Sequence, residues 1–338
     1  MSGCDAVLHL GPASGKGGFA DDHYWIWCAS PVIGDDGKYH LFASRIPRTI
    51  PFHPGWLFAS EIVRAEAELP EGPYRFREVV LGARDPAFFD GRSAHNPCIR
   101  KVGTKYLLFY MGSTYPGKEV DVNRVESGGP LYKESWARKR IGLAWADSVH
   151  GPWNRPDKPL LEPRPGHWDA IATTNPAPWI LPDGSVRMIY KSRTVADGPR
   201  LLGLAGAPTW QGPYAALMEH PLFPGVDLED ACLWHDGERF RMILKDMAGT
   251  VGGEPGCLVQ AWSQDAVAWI FPDPPILHGK LIRWDDGSTE QLGNFERPQL
   301  LFDAHNRPTH LFAAVSRGGS GIGDAAETFS VCLPVRSR

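Results

Sequence analysis

Four segments of this chain each place a carboxylate beside aromatic rings or amides. They are FFDGRSAHNP, HWDAIATTNP, VDLEDACLW and NFERPQLLF. Two carboxylates can share general acid–base chemistry when their surroundings push their pKa values apart. Acids and amides among flat rings also suit a polyol, because hydroxyl groups need directional partners and the apolar faces of a sugar stack on aromatic rings. The residue types therefore predict acid–base chemistry on a polyhydroxylated ligand.

Each candidate also has a structural interpretation. Asp169 and Glu229 suit catalysis or ligand binding, and they equally suit strand capping. The adjacent Glu296 and Arg297 are candidates for ligand contact or for an ion pair that holds the chain together. His95 is either a ligand contact or a core histidine. The aspartates of the three D-G pairs belong to turn chemistry: Asp36, Asp183 and Asp236.

The elements that would position these residues form a repeat. Two short runs of branched and aromatic residues surround a turn in five segments, which predicts five β-hairpins: 30–44, 96–113, 175–192, 230–246 and 297–316. A third strand and the start of a fourth follow the first four hairpins: 62–74, 141–153, 201–214 and 258–269. In the last unit, 328–335 is the third strand, and the fourth comes from 6–10 near the N-terminus.

Four strands in each of five units predict an all-β, five-bladed β-propeller with antiparallel four-stranded blades around a central funnel. We expect one domain over 1–338. The expected blades are 20–84, 85–162, 163–222, 223–280 and 281–338. The first strand of each blade lies innermost, so the residues that open each unit should face the funnel. Helical periodicity is nearly absent, apart from a turn or two at 131–140.

These motifs resemble the superfamily of five-bladed propeller glycosidases, which includes arabinanases, β-xylosidases, α-L-arabinofuranosidases, fructosidases and anhydrogalactosidases. The DGKYHLFAS hairpin and the E-D-A and E-R-P openings carry the resemblance over roughly 20–335. Members use three carboxylates as base or nucleophile, pKa modulator and acid. The arabinanase positions hold Ser30-Pro31, Asn96-Pro97 and Asn175-Pro176 here, so that triad does not transfer directly.

Spacing closer to the anhydrogalactosidase branch implies another set of catalytic residues. Asp22 is assigned as base, Glu229 as acid and Asp169 as modulator, with base and acid about 6.5–9.5 Å apart for inversion. Asp21 is the fallback for Asp22, and Asp90 or Asp230 for Asp169; Asp230 or Glu296 is the fallback for Glu229. Residues expected to bind substrate are Trp25, Asp90, His95, Asn96, Asn175, Asp230, Glu296 and Arg297.

The resemblance implies an exo-acting, inverting glycoside hydrolase that releases a terminal furanose or anhydro-sugar unit from an oligosaccharide or a polysaccharide. The insertion 114–139 could wall one side of the funnel and restrict it to chain ends. One alternative is a glycoside phosphorylase, which needs a basic cluster for phosphate; the candidates are Arg45, Arg92, His95 and Arg297. Another is a noncatalytic carbohydrate-binding propeller, without two carboxylates at catalytic separation. The sugar, its linkage and the oligomeric state stay open.

Composition and charge limit the classes of partner and the cellular location that the sequence predicts. The formal net charge is −4 and no block of five like charges occurs, so we expect no nucleic-acid partner. No apolar stretch approaches 18 residues and no signal peptide is visible, which predicts no membrane span and a cytoplasmic location. The six cysteines lack a C-x-x-C pair, so we expect free thiols, no metal and no cofactor.

Overall fold

The computed structural model describes residues 8–319 and 323–336. Its strands in chain order are β1 His9–Leu10, β2 Tyr24–Ile33, β3 Tyr39–Pro47, β4 Glu61–Ala67, β5 Arg75–Leu81, β6 Ser93–Val102, β7 Lys105–Ser113, β8 Arg140–Ala146, β9 Thr174–Ile180, β10 Val186–Ser192, β11 Leu201–Ala207, β12 Ala215–Ala216, β13 Leu228–His235, β14 Phe240–Asp246, β15 Cys257–Ser263, β16 Ile276–His278, β17 Leu281–Arg283, β18 Thr289–Gln291, β19 Asn294–Phe302, β20 Pro308–Arg317 and β21 Glu327–Arg336. The helices are α1 Phe52–Phe58, a 3₁₀ turn Val122–Arg124, and α2 Pro130–Ala137.

The strands form five antiparallel blades, which confirms the predicted five-bladed propeller. Blade one is β2-β3-β4-β5, blade two β6-β7-β8, blade three β9-β10-β11-β12, blade four β13-β14-β15-β16 and blade five β19-β20-β21-β1. In blade two, isolated bridges at Asn154 and Leu161 continue the outer edge beyond β8. The β17–β18 hairpin lies between the last two blades in sequence and was not predicted.

Blade five takes its outer strand from the other end of the chain. β1 pairs antiparallel with β21, with His9 opposite Arg336 and Leu10 opposite Val335. This pairing confirms the expected ring closure for residues 9 and 10; residues 6 and 7 lie outside the described part of the chain. Hydrogen bonds between the two ends of the chain thus hold the first and last blades together.

Apolar side chains of neighbouring blades pack against one another and form the core. Phe42 and Ile62 of blade one contact Ile99 and Leu108 of blade two in one such cluster. All four side chains are at most 1% exposed. Burial of this kind is the main favourable term that holds the blades together. It leaves the inner strands to present their polar residues to the axis.

The connections between second and third strands reach the face where the inner strands begin, because neighbouring strands in a blade are antiparallel. Two of these connections carry helices: α1 between β3 and β4, and α2 between β7 and β8. Leu57 and Phe58 of α1 pack with Tyr115, Val122 and Trp136. The two helices therefore form a wall at the mouth of the funnel. The prediction of a short helix near 131–140 is confirmed by α2.

The described cysteines are all buried and free: Cys28, Cys98, Cys232, Cys257 and Cys332. The expectation of free thiols is confirmed for these five, and Cys4 lies outside the described residues. Within the described ranges, neither helix is long and apolar enough to cross a membrane.

Candidate active site

One residue in the first half of each inner strand has a left-handed backbone conformation. The five are Cys28, Asn96, Asn175, Asp230 and Arg297, with φ between 54° and 57°. Each belongs to a β-bulge, where two residues of the inner strand oppose one residue of the second strand. Positive φ is uncommon outside glycine, and its recurrence at the same point of every blade indicates a built feature. We call these five residues the axial ring.

Hydrogen bonds join the side chains of the axial ring into a closed circuit. Cys28 Sγ donates to Asn96 Oδ1 at 2.9 Å, and Asn96 Nδ2 donates to Asn175 Oδ1 at 2.9 Å. Asn175 Nδ2 donates to Asp230 Oδ1 at 2.9 Å. Arg297 completes the circuit, because Nη1 donates to Asp230 and Nε to Cys28 Sγ at 3.1 Å. The circuit closes the floor of the funnel, where a cavity of only about 10 Å³ is left.

The residue that precedes each member of the axial ring forms a second layer toward the mouth. Its members are Trp27, His95, Thr174, Glu229 and Glu296. In this layer the two acids meet: a side-chain oxygen of Glu229, one of Glu296 and one of Asp230 all lie within 4.8 Å of one another. All three side chains are buried. Three buried carboxylates this close must be compensated by nearby cations or by protons.

Lysines of the second strands supply that compensation. Lys191 of β10 donates to Glu229 Oε2 at 2.7 Å. Lys245 of β14 donates to Glu296. Each lysine belongs to the blade before that of its carboxylate, so both pairs also join neighbouring blades.

The surroundings push the pKa values of the two glutamates in opposite directions. Burial acts to raise the pKa of Glu229, but the charges of Lys191, Lys245 and Arg200 outweigh it and hold that pKa well below its usual range. Burial raises the pKa of Glu296; Lys245 opposes this shift, whereas the charges of Asp230 and Glu229 add to it. Glu229 therefore releases its proton more readily than Glu296. The sequence-based expectation that Glu229 holds its proton had the opposite direction.

His95 is a neutral imidazole beside the axial ring. Its Nδ1 lies 2.8 Å from Ser60 Oγ, and its Nε2 lies 3.8 Å from Cys28 Sγ. Burial lowers the pKa of His95 well below its usual value, and the charges of Arg297 and Lys139 lower it further. The Trp56 ring of α1 stands 5.6 Å from the imidazole ring. His95 can therefore contact a ligand as a neutral group.

Asp22 and Trp25 lie nearer the rim than the two glutamates. Asp22 is exposed and precedes β2, five residues before Trp27, which corresponds to roughly 16 Å of extended chain. Trp25 is half-buried, and its indole Nε1 donates to the Ile50 carbonyl at 2.9 Å. No described contact joins either residue to Glu229 or Glu296. Asp22 is therefore poorly placed for the role of base that the resemblance implied.

Asp90 and Asp169 occupy equivalent buried positions ahead of the inner strands of blades two and three. Asp90 accepts from Arg84 Nε at 2.6 Å and from Tyr110 Oη at 2.6 Å. Asp169 accepts from Arg164 Nε at 3.0 Å and from Tyr190 Oη at 2.6 Å.

Both tyrosines stand opposite the bulge of their own blade. These contacts hold the entry loop against the blade, because a carboxylate among apolar groups requires such partners. The contacts of Asp90 and Asp169 therefore fit a structural role. They replace the modulator and substrate-binding roles that the sequence predicted.

The register of blade one also differs from expectation. Ser30 was expected to correspond to Asn96 and Asn175, but the bulge places Cys28 there. Ser30 lies two residues further along β2, where its Oγ accepts from the Ile99 backbone N–H at 3.1 Å. The remaining predicted residues Asn96, Asn175, Asp230 and Arg297 do lie together, in the axial ring.

Among the residues that the structure describes, two groups of side chains have the composition of a metal site. In one, Asp36 lies 3.0 Å from His40 Nε2 and 3.3 Å from His150 Nε2. Arg64 Nη1 donates to His40 Nδ1 at 2.9 Å, so Nε2 carries the proton and has no lone pair for a cation. The other group is Glu229, Asp230 and Glu296, whose carboxylates already bind lysine and arginine. Neither group fits a metal ion as it stands.

Several solved structures of similar fold are named as glycoside hydrolases. The chain is similar to Zg3597, a family 117 glycoside hydrolase of the marine bacterium Zobellia galactanivorans, at 17% identity over 97% of this chain and 90% of that chain, with a TM-score of 0.67. A thermostable family-43 glycoside hydrolase matches with a TM-score of 0.57 at 11% identity over 98% of this chain and 96% of that chain.

The catalytic domain of the Coprinopsis cinerea GH62 α-L-arabinofuranosidase matches at 12% identity over 97% of this chain and 96% of that chain, with a TM-score of 0.58. No protein-family model matches the chain, and no curated protein matches it by sequence. At these identities the likeness establishes the fold, and the chemistry has to be argued from the side chains.

Proposed function

We propose that the protein is a glycoside hydrolase with Glu229 and Glu296 as its catalytic carboxylates. The observation that carries the proposal is the pair itself: two buried glutamates lie close together in the funnel, and their pKa values are displaced in opposite directions. A glycosidase needs one protonated and one ionised carboxyl at the same bond. The solved structures of similar fold that are named as glycoside hydrolases support the same conclusion.

In this mechanism Glu296 gives its proton to the leaving glycosidic oxygen while Glu229 attacks the anomeric carbon. A water molecule, deprotonated by Glu296, then displaces Glu229 and releases the sugar. Retaining enzymes hold their carboxyls about 5–5.5 Å apart, and inverting enzymes leave about 6.5–9.5 Å for a water. The nearest oxygens of Glu229 and Glu296 lie within 4.8 Å. The spacing favours retention over the inversion that the resemblance implied.

We further propose that the substrate enters by its chain end and that a small terminal unit, a furanose or an anhydro-sugar, is released from an oligosaccharide. The axial ring closes the floor of the funnel, so a chain cannot pass through it. The helices α1 and α2 wall the mouth on one side. Both features suit an exo-acting enzyme. One of the structures of similar fold is named as an arabinofuranosidase, which supports a furanose.

The test is a screen of aryl furanosides and of plant and algal oligosaccharides, with products identified by NMR. We expect release of one terminal sugar with retained anomeric configuration, and loss of release in Glu229→Gln and Glu296→Gln. Release of an inverted product would still support a hydrolase, but it would overturn the assignment of Glu229 as nucleophile. Hydrolysis that is equally fast in both variants would overturn the proposed site.

One observation favours a phosphorylase as the second candidate. Lys139 and Arg193 lie near Glu229, and neither makes an ion pair with a carboxylate in the described part of the chain. A phosphorylase would use such cations to hold phosphate as the attacking group. Adding inorganic phosphate to the screen separates the two activities, because phosphorolysis yields a sugar phosphate and requires phosphate.

A further inference from the structure

Lys139 is a buried lysine that has no anionic partner in the described part of the chain. It follows α2, is 1% exposed, and its Nζ lies 3.5 Å from the centre of the Trp136 ring and 5.4 Å from that of Trp56. No carboxylate among residues 8–319 and 323–336 lies within ion-pair distance of its Nζ. The faces of the two indoles compensate only part of the cost of a buried charge. Burial lowers the pKa of Lys139 well below its usual value, and Lys191 and Arg193 lower it further.

Arg193 approaches the same indole. Its Cζ lies 4.1 Å from the centre of the Trp136 ring, and Lys139 Nζ lies 3.5 Å from the same centre. The distance between Cζ and Nζ therefore cannot exceed the sum of these two distances. Nη1 donates to the Ala196 carbonyl at 2.8 Å, whereas Nε is buried and has no hydrogen-bond partner among the described residues. A buried guanidinium N–H without an acceptor is costly, and a ligand oxygen would satisfy it.

The loop that leads into β9 holds both cations beside the funnel. The Thr173 backbone N–H donates to the Lys139 carbonyl at 3.2 Å, and the Ile171 backbone N–H donates to the Arg193 carbonyl at 3.2 Å. The next residue is Thr174, which belongs to the layer that contains Glu229. Lys191, the partner of Glu229, is two residues before Arg193 on the same stretch of chain. The charge of Glu229 acts on both Lys139 and Arg193, so these two side chains lie near the carboxylate pair.

We propose that Lys139 and Arg193 form a subsite for an oxyanion beside the carboxylate pair, and that the substrate is an acidic sugar whose carboxylate occupies it. That the bound sugar is a substrate rests on the proposed function, whereas the anion-binding subsite does not. Guanidinium N–H groups and an ammonium are the preferred donors for such an anion. Inorganic phosphate has the same chemistry and is the other possible source of the oxyanion.

Calorimetry on the full chain tests the subsite without requiring turnover. Galacturonate and galactose differ only in the carboxylate at C6, so their comparison isolates the anion. We expect galacturonate to bind roughly tenfold or more tightly than galactose, since charge-assisted hydrogen bonds to a buried group have this magnitude. Arg193→Gln and Lys139→Met should abolish the preference. Arg138→Gln is the matched control, because Arg138 is adjacent in sequence, exposed and paired with Glu134.

The arms of the experiment identify the source of the anion. If inorganic phosphate binds in place of galacturonate and Arg193→Gln weakens it, the subsite stands and phosphate is its ligand. Equal affinity for galacturonate and galactose, with no phosphate binding that depends on Arg193, would overturn the subsite. Arg193 is only half-buried, so Arg193→Gln carries the test even if Lys139→Met fails to fold. Absence of hydrolysis together with tight galacturonate binding would overturn the hydrolase and leave the subsite intact.

Discussion

Glu229 and Glu296 approach each other within 4.8 Å, and each carboxylate is bound by a lysine from the preceding blade. Although both carboxylates have a lysine partner, their pKa values shift in opposite directions. Glu229 is near Lys191, Lys245 and Arg200, which together lower its pKa. Glu296 has Lys245 as its main cation and the charges of Asp230 and Glu229 nearby, so its pKa rises. The asymmetry follows from the order of residues around the funnel, and it is the basis of the acid and nucleophile roles proposed for the pair.

Replacing Glu296 by glutamine should separate substrates by their leaving groups. Glu296→Gln keeps the shape of the side chain but cannot donate a proton to the leaving oxygen. We expect turnover of natural glycosides to fall by about two to four orders of magnitude, the usual scale for loss of general acid catalysis. Aryl glycosides with good leaving groups should lose much less in the first step. Glu229→Gln should reduce both substrate types alike, and an equal loss in Glu296→Gln would contradict the assignment of Glu296.

The pH profile of kcat/KM should be bell-shaped. The active form has Glu229 ionised and Glu296 protonated, so activity rises with pH through the pKa of Glu229 and falls through that of Glu296. The pKa of Glu229 lies below 4.5 and that of Glu296 above it. The acid limb should therefore lie below pH 4.5 and the alkaline limb above it. With an aryl substrate of good leaving group, Glu296→Gln should lack the alkaline limb, and its persistence there would assign the limb to another residue.

The fold was predictable from sequence because its signals are local. Each hairpin has its own turn, as at Asp36-Gly37, where Gly37 has a φ of +76° and Asp36 accepts from the Lys38 backbone N–H. The closing strand was predictable because a propeller needs a partner for β21. The helix α1 was missed because Pro54 and Gly55 within it disfavour helix formation. Only packing against the neighbouring wall residues favours that turn of helix.

The site was only partly predictable, because it depends on register and on contacts between blades. A bulge shifts the axial residue of blade one to Cys28, and no pattern in the sequence distinguishes that position from Ser30. The pKa of Glu229 depends on Lys191, which is 38 residues away in sequence. Asp169 lies in a segment similar to that of Asp90, and that similarity was the available sign of a shared structural role.

Asp169→Asn tests the structural role of Asp169. The change weakens the ion pair with Arg164 while keeping an acceptor for Tyr190. We expect the free energy of unfolding to fall by about 1.5–3 kcal/mol, the scale for a hydrogen bond to a charged group. The kcat/KM of the folded enzyme and its pH profile should not change. A shift of the alkaline limb at unchanged stability would restore Asp169 to the role of pKa modulator that the resemblance implied.

Removing the partner of Glu229 should destabilise the protein in a pH-dependent manner. Lys191→Met leaves a buried carboxylate without its closest cation, which typically costs about 3–5 kcal/mol of unfolding free energy. A lowered folded-state pKa adds stability above the unfolded-state pKa, and this stability is lost as the pH falls through the folded-state value. The difference between Lys191→Met and wild type should therefore be largest near neutral pH and shrink as the pH falls below 4.5, the ordinary value. Denaturant unfolding across this range measures it.

Adding Glu229→Gln to Lys191→Met removes the unpaired charge and should recover much of the loss. Lys105→Met, which removes a half-buried lysine paired with the exposed Asp147, is the control and should have little effect at any pH. A loss in Lys191→Met that is constant with pH and is not relieved by Glu229→Gln would show that Lys191 contributes packing, and that the low pKa of Glu229 has another cause.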